Sequence, residues 1–241
     1  KPPGERDVVV VPISPKEAAN RRYHEWEWTR AQRVEVAGEG RLAYVHLRAM
    51  GAADIADWVR AYVPMFNREG LIVDVRHNRG GNIDSWILAR LLRQVWMAWS
   101  QRVGSPPVWN MQYAFRGHLA VLCDERTASD GEAFSEGFRR LGLGPVLGTR
   151  TWGGEIWLSF DNELADGGIA SAAEYGVYGP EGVWLIEGHG VDPDQVVDNL
   201  PAATFRGQDA QLDAAIATLL RQLEEEPIPP IGPPAYPDKS K

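Results

Sequence analysis

Three times between residues 42 and 141, a short and almost wholly apolar run is followed by a longer segment with apolar residues spaced three and four apart. Residues 42–47, 71–75 and 119–123 are the apolar runs, and such runs suit strands buried on both faces. Residues 54–67, with Ile55, Trp58, Val59, Tyr62 and Val63 on one face, read as an amphipathic helix, as do 84–99 and 129–141. Strand and helix in strict alternation predict an α/β fold built on a mostly parallel sheet, with helices covering its faces. A sheet of that kind accommodates 241 residues around one core.

The flanks read differently. Residues 8–11 are a β-branched run closed by Pro12, which predicts a short strand, because proline cannot donate to a ladder. Ser14, Pro15 and Glu17 form a helix start, with a capping hydroxyl, proline at the first helical position and an acid in the first turn. That helix is expected to run through Trp28 or beyond. After Pro145 the segments shorten, and glycine pairs at 153–154 and 167–168 predict C-terminal hairpins that include strands at 156–160 and 183–186. Residues 208–223 return to helical spacing, and the proline-rich stretch 227–234 predicts an extended tail. The expected divisions are 1–37 as the end of a preceding domain with a linker helix, 38–225 as the core and 226–241 as the proline-rich tail.

Charge narrows the partners. There are 25 Lys and Arg against 33 Asp and Glu, a formal net charge of -8, so a surface built to neutralise nucleic-acid phosphates is not expected. Cys123, the single cysteine, lies in an apolar run where a thiol packs as a small hydrophobe, and no metal or cofactor motif stands out. No apolar stretch reaches the roughly 18–20 residues of a membrane-spanning helix. Residues 1–6 lack the pattern of a signal peptide, and the chain is expected to be a piece of something longer. Trp58, Trp96 and Trp99 sit at apolar helical positions and are expected in the core.

Two polar segments carry the chemistry. Thr127, Ala128, Ser129, Asp130, Gly131 and Glu132 follow the strand ending at Cys123. A serine at the start of a helix after a strand stands at the carboxyl edge of the sheet, in the positive field of the helix N-terminus. It reads either as a helix cap or as a nucleophile. Asp74, Arg76, Asn78, Gly80 and Gly81 follow the strand at 71–75, and adjacent glycines let backbone N–H groups approach an external oxyanion. A tight turn needing positive φ accounts for them equally well.

Together these segments, with Gly148, Thr151, Gly153 and Gly154, resemble the tricorn and C-terminal processing peptidases. The likeness extends to Arg22, Tyr23 and Trp26 and to Glu187, Gly190, Val191, Pro193 and Asp194. Where Ser/Lys members carry a lysine, this chain has Gly153, Gly154 and Glu155, which favours the tricorn branch. The resemblance implies a crotonase/ClpP-like β-α superhelix and a serine peptidase acting on peptide substrates. It implies Ser129 as nucleophile, backbone N–H groups of Gly80, Gly81 and Asp130 as oxyanion donors, Asp130 as a shaper of the first specificity pocket, and Glu187 in the charge relay.

It also implies a general-base histidine from a helical domain that precedes a PDZ-like domain, neither of which is in this sequence. His189 is the substitute considered, His77 a weaker one, and His24, His46 and His118 fit poorly. The chain alone is therefore expected to be weakly active or inactive. A homo-oligomer and a cytoplasmic location are further implications. Two alternatives remain at this point: a crotonase-like acyl-CoA enzyme, which needs no serine nucleophile, and a core that binds peptide or ligand without catalysis.

Overall fold

The computed structural model describes residues 6, 8–158, 162–235 and 238. Helix α1 (Pro15–Ala37) starts at Ser14, whose Oγ accepts the Glu17 N–H at 3.1 Å. Strand β1 (Leu42–His46) and helix α2 (Ala52–Tyr62) follow; α2 gives way at Val63–Met65 to one 3-10 turn, where Pro64 has no N–H to continue the helix. Strand β2 (Gly70–Asp74) leads to helix α3 (Asp84–Leu91) and a two-residue hairpin of β3 (Ala98–Trp99) with β4 (Val108–Trp109). Then come β5 (His118–Cys123), α4 (Asp130–Arg140), β6 (Val146–Gly148), the antiparallel pair β7 (Trp157–Leu158) and β8 (Ala173–Tyr175), β9 (Gln195–Val196), α5 (Pro201–Phe205) and α6 (Ala210–Glu225).

The main sheet has the order β1-β2-β5-β6-β9, and every pair in it is parallel. Alternate residues face opposite sides, so the period of two splits one apolar set into two cores. Ala43, Val45, Leu71, Val73 and Val121 face α2, α3 and α4, where they meet Trp58, Tyr62, Ile87, Phe134 and Phe138. Leu42, Tyr44, Ile72, Ala120 and Leu122 face α1 and α6, where they meet Val34, Leu212, Ile216 and Leu219. Each such side chain contributes about 1.5–3 kcal/mol on leaving water, which is why these runs read as continuous hydrophobes rather than as alternating ones.

Between the sheet and α6 lies a buried ionic knot. Arg76 donates to Asp74 Oδ2 and Asp209 Oδ1, both at 2.7 Å, and the Tyr44 hydroxyl donates to Asp74 at 2.7 Å. Burial alone pushes the Asp74 carboxyl up, but the Arg76 guanidinium outweighs it and holds the group well below the usual carboxylate range. Asp209 also caps α6 through the Leu212 N–H. The Asp and Arg of the 74–81 motif thus lock the end of β2 to the helix beneath it.

Several sequence expectations change. Residues 8–11 form no strand; Val9 is 92% exposed and has no ladder partner among the described residues. The helix expected over 84–99 stops at Leu91, and Trp96 and Trp99 are exposed beside and on the β3–β4 hairpin instead of in the core, whereas Trp58 is buried. The expected strand 156–160 is seen at Trp157–Leu158, and residues 159–160 lie outside the described residues. At 183–186 there is only a single bridge, between Tyr178 and Trp184. Among the described residues, no helix is long and apolar enough to cross a membrane.

Candidate active site

Three loops meet at the carboxyl edge of the parallel strands: the one after β1, the one after β2 and the β5–α4 turn. Within that turn Thr127 Oγ1 donates to Val75 O at 2.8 Å and Trp152 N–H donates to Thr127 O at 3.0 Å, so the buried threonine ties the turn to both flanking loops. Ala128 N–H donates to Asn78 O at 3.0 Å. The next residue, Ser129, is the N-cap of α4 with φ 54° and ψ -128°. A serine is seldom found there, and surrounding bonds must hold it. They do so from both sides: Ser129 N–H donates to Glu132 Oε2 at 2.9 Å, and Ser129 O accepts from Glu132 N–H at 2.6 Å and Ala133 N–H at 3.1 Å.

Glu132 is the hub of this arrangement and is fully buried. Besides Ser129 N–H, its carboxylate accepts Thr151 Oγ1–H at 2.6 Å, Gly153 N–H at 2.6 Å and Gly154 N–H at 3.0 Å. The Gly153–Gly154 turn is thereby fixed against the serine. Sequence reading passed over Glu132 except as part of a motif, although serine followed three residues later by glutamate is the signature of a capping box.

The glycine turn after β2 closes the other side. A Cβ built on Gly80 would stand 2.5 Å from Ser129 Cβ and 2.9 Å from its Oγ, so only a glycine lets the two loops come this close. Gly80 N–H is donated to Asn78 Oδ1 at 2.8 Å, and this does not fit the expected donor role of Gly80. Gly81 and Asp130 differ: among the described residues neither N–H has an acceptor. Asn78, named from the sequence only as part of the motif, also donates its Nδ2–H to Leu47 O at 2.7 Å, which makes it the post on which the glycine turn hangs.

Asp130 is buried, and its Oδ2 accepts Ile83 N–H at 2.7 Å and Asp84 N–H at 3.0 Å. Its side chain caps the start of α3 through that one oxygen. Burial raises its carboxyl to about 6 despite those two N–H donors, and the Asp84 charge adds to the rise. Glu155 is also buried; its Oε2 has no partner among the described residues. Burial, then the charges of Asp130, Glu132, Asp84 and Glu187, push it up to about 8. At neutral pH its carboxyl is mostly protonated.

Glu187 is exposed, and its Oε2 accepts Glu155 N–H at 2.8 Å and Ile156 N–H at 3.0 Å. It lines an open cleft of about 470 Å³ with Ile156, Tyr175 and Trp184. None of the five histidines supplies a hydrogen bond to Ser129 Oγ. His24 lies by Glu27, His46 Nε2 bonds Tyr23, His77 Nε2 pairs with Asp124 at 3.0 Å, His118 Nε2 bonds Glu226 O and His189 Nε2 bonds Asp192 at 2.7 Å. His189 lies in a separate cleft with Glu125, Arg150 and Trp152. No group of three or more His, Cys, Asp or Glu among the described residues is arranged to hold a metal.

The sequence profile of peptidase family S41 matches residues 41–197. The chain is similar to tricorn protease homolog 1 of Streptomyces coelicolor, at 38% identity over 96% of this chain and 21% of that protein. It is similar to the tricorn protease of Thermoplasma acidophilum at 33% identity, over 84% of this chain and 19% of that protein. The crystal structure of the tricorn protease superposes with a TM-score of 0.80 at 31% identity, covering 84% of this chain and 20% of that one. Mature CPAF complexed with lactacystin shares the fold at 13% identity, with a TM-score of 0.62 over 77% of this chain and 52% of that one. The chain spans about a fifth of the length of the tricorn relatives it matches.

Proposed function

This chain belongs to peptidase family S41, and from that premise we propose that it carries the acylating centre of a serine peptidase, with Ser129 as nucleophile. Ser129 Oγ attacks the substrate carbonyl carbon while its proton passes to a base. The carbonyl oxygen takes the negative charge, and the Gly81 and Asp130 N–H groups, which have no other acceptor, hold it. Collapse expels the amine as the proton is returned, and water then cleaves the acyl–serine ester. The observation that carries this reading is the approach of Gly80 to Ser129, which sets two unspent amides beside a strained serine at a helix N-terminus.

The general base is read as coming from outside this chain, a reading supported by the other partners that its five histidines have. Glu187, with one carboxylate oxygen fixed by the Glu155 and Ile156 amides and its side chain open to the cleft, is positioned to orient an incoming base rather than to act as one. Peptides are the substrate class. A homo-oligomer and a cytoplasmic site of action rest on the family resemblance alone.

The test is peptide hydrolysis by the chain as it stands. Without the base, turnover is expected about 10²–10⁴-fold below that of a complete site. Ser129→Ala is expected to remove what remains, and His189→Ala to leave it unchanged. Turnover that survives Ser129→Ala would sink the assignment, and loss on His189→Ala would put the base back inside this chain.

A further inference from the structure

On the α1 side of the same sheet edge lies a second cleft, of about 570 Å³, lined by Ala19, Asn20 and Tyr23 of α1 together with Arg48, His77, Arg79 and Arg126. Three arginines and a histidine converge here and, among the described residues, no carboxylate lines it, in a chain whose net charge is -8. Two of these groups are already committed. Arg48 is held by Glu27 and Asn20 and lies over the Tyr23 ring at 4.2 Å; His77 is held by Asp124 through both its backbone N–H and Nε2. Arg79 and Arg126 are exposed, and among the described residues neither guanidinium has a carboxylate or hydrogen-bond partner. Two like charges gathered at one opening repel each other unless a counter-charge sits between them.

We propose that this cleft binds an oxyanion, a carboxylate or phosphate group, held by the guanidinium forks of Arg79 and Arg126, with Arg48 and His77 as its fixed walls. The forks present paired N–H donors that match two oxygens of such a group, which an ammonium does not do. The floor is preformed: Arg79 N–H donates to Arg48 O at 3.1 Å, and His77 keeps a left-handed backbone with φ 62° because Asp124 grips it twice. Arg79 precedes Gly80 and Arg126 lies three residues before Ser129, so the site adjoins the serine without including it.

Binding is read by calorimetry on the full chain at low salt, with no turnover involved, so the result stands apart from the fate of Ser129 as nucleophile. The probes are inorganic phosphate and N-acetyl-Glu-Glu-amide. At least one is expected to bind, with affinity falling about tenfold for Arg79→Ala or Arg126→Ala alone and about a hundredfold for the pair, and weakening as salt rises. Phosphate bound without the peptide identifies a free anion as the ligand, and the reverse identifies an acidic peptide segment. Both side chains are exposed, so the variants should keep the parent unfolding temperature; Arg79→Gln with Arg126→Gln repeats the test at nearly constant volume. Equal affinities in parent and double variants, or no binding of either probe to the parent below about 10 mM, would overturn the proposal.

Discussion

Gly81→Ala is expected to cost at least about 3 kcal/mol of stability and to abolish acylation at Ser129. A Cβ on Gly81 would overlap the Met50 carbonyl oxygen, and a backbone atom cannot swing aside as a side chain can. Met50 is fixed in turn: its N–H donates to Gly80 O at 2.8 Å and its carbonyl accepts Asn82 N–H at 2.7 Å. The methyl group must therefore displace the whole β2–α3 turn, and with it the amide assigned to the oxyanion. For a chain of this length the loss lowers the unfolding midpoint by roughly 6–12 °C. Thermal unfolding and serine labelling should fail together; a stable Gly81→Ala variant that still acylates would mean that the turn has no part in the site.

The second large effect falls on Glu132. Glu132→Ala strips acceptors from Ser129 N–H, Thr151 Oγ1, Gly153 N–H and Gly154 N–H, of which the threonine is buried and the three amides are half-buried. Losing the buried carboxylate and leaving these four donors without it is expected to cost about 3 kcal/mol, and the serine loses the bond that holds its positive φ. Glu132→Gln keeps one acceptor oxygen but turns an NH₂ group toward donors, so its cost should fall between those of the parent and the alanine variant. Denaturant unfolding ranks the three proteins. An alanine variant as stable as the parent would show that water replaces the carboxylate, and the hub role would be lost.

Both predictions rest on groups that the sequence disclosed unevenly. The parallel sheet was legible because residues 42–47, 71–75 and 119–123 are buried on both faces, and such burial leaves continuous apolar runs. Helix α3 was overextended to residue 99, since Trp96 and Trp99 keep helical spacing with the residues before them while the chain has already turned into a hairpin. Tryptophan spacing carries no information about where hydrogen bonding stops. The valines at 8–11 have strand propensity but no partner among the described residues, and propensity without a neighbour makes no strand.

In the site, Ser129 and the 80–81 glycines stood out from the strand-turn-helix grammar, yet which amides remain free depended on Asn78 Oδ1 taking the Gly80 N–H, a long-range fact. Asp130 illustrates the same limit. Its place after the serine gives no sign that Ile83 and Asp84, brought alongside by the parallel crossover, donate to one of its carboxylate oxygens. Glu155 stands out in the sequence only as one of three residues among which a lysine is missing; its burial among four other carboxylates is a property of the fold.

The most direct test of the account is mass spectrometry of the chain after exposure to a peptidyl phosphonate, which needs an activated serine and an oxyanion pocket but no complete turnover. A single adduct is predicted, on Ser129, slow to form and absent from both Ser129→Ala and Gly81→Ala. An adduct on another residue, or equal labelling of the Ser129→Ala variant, would contradict it.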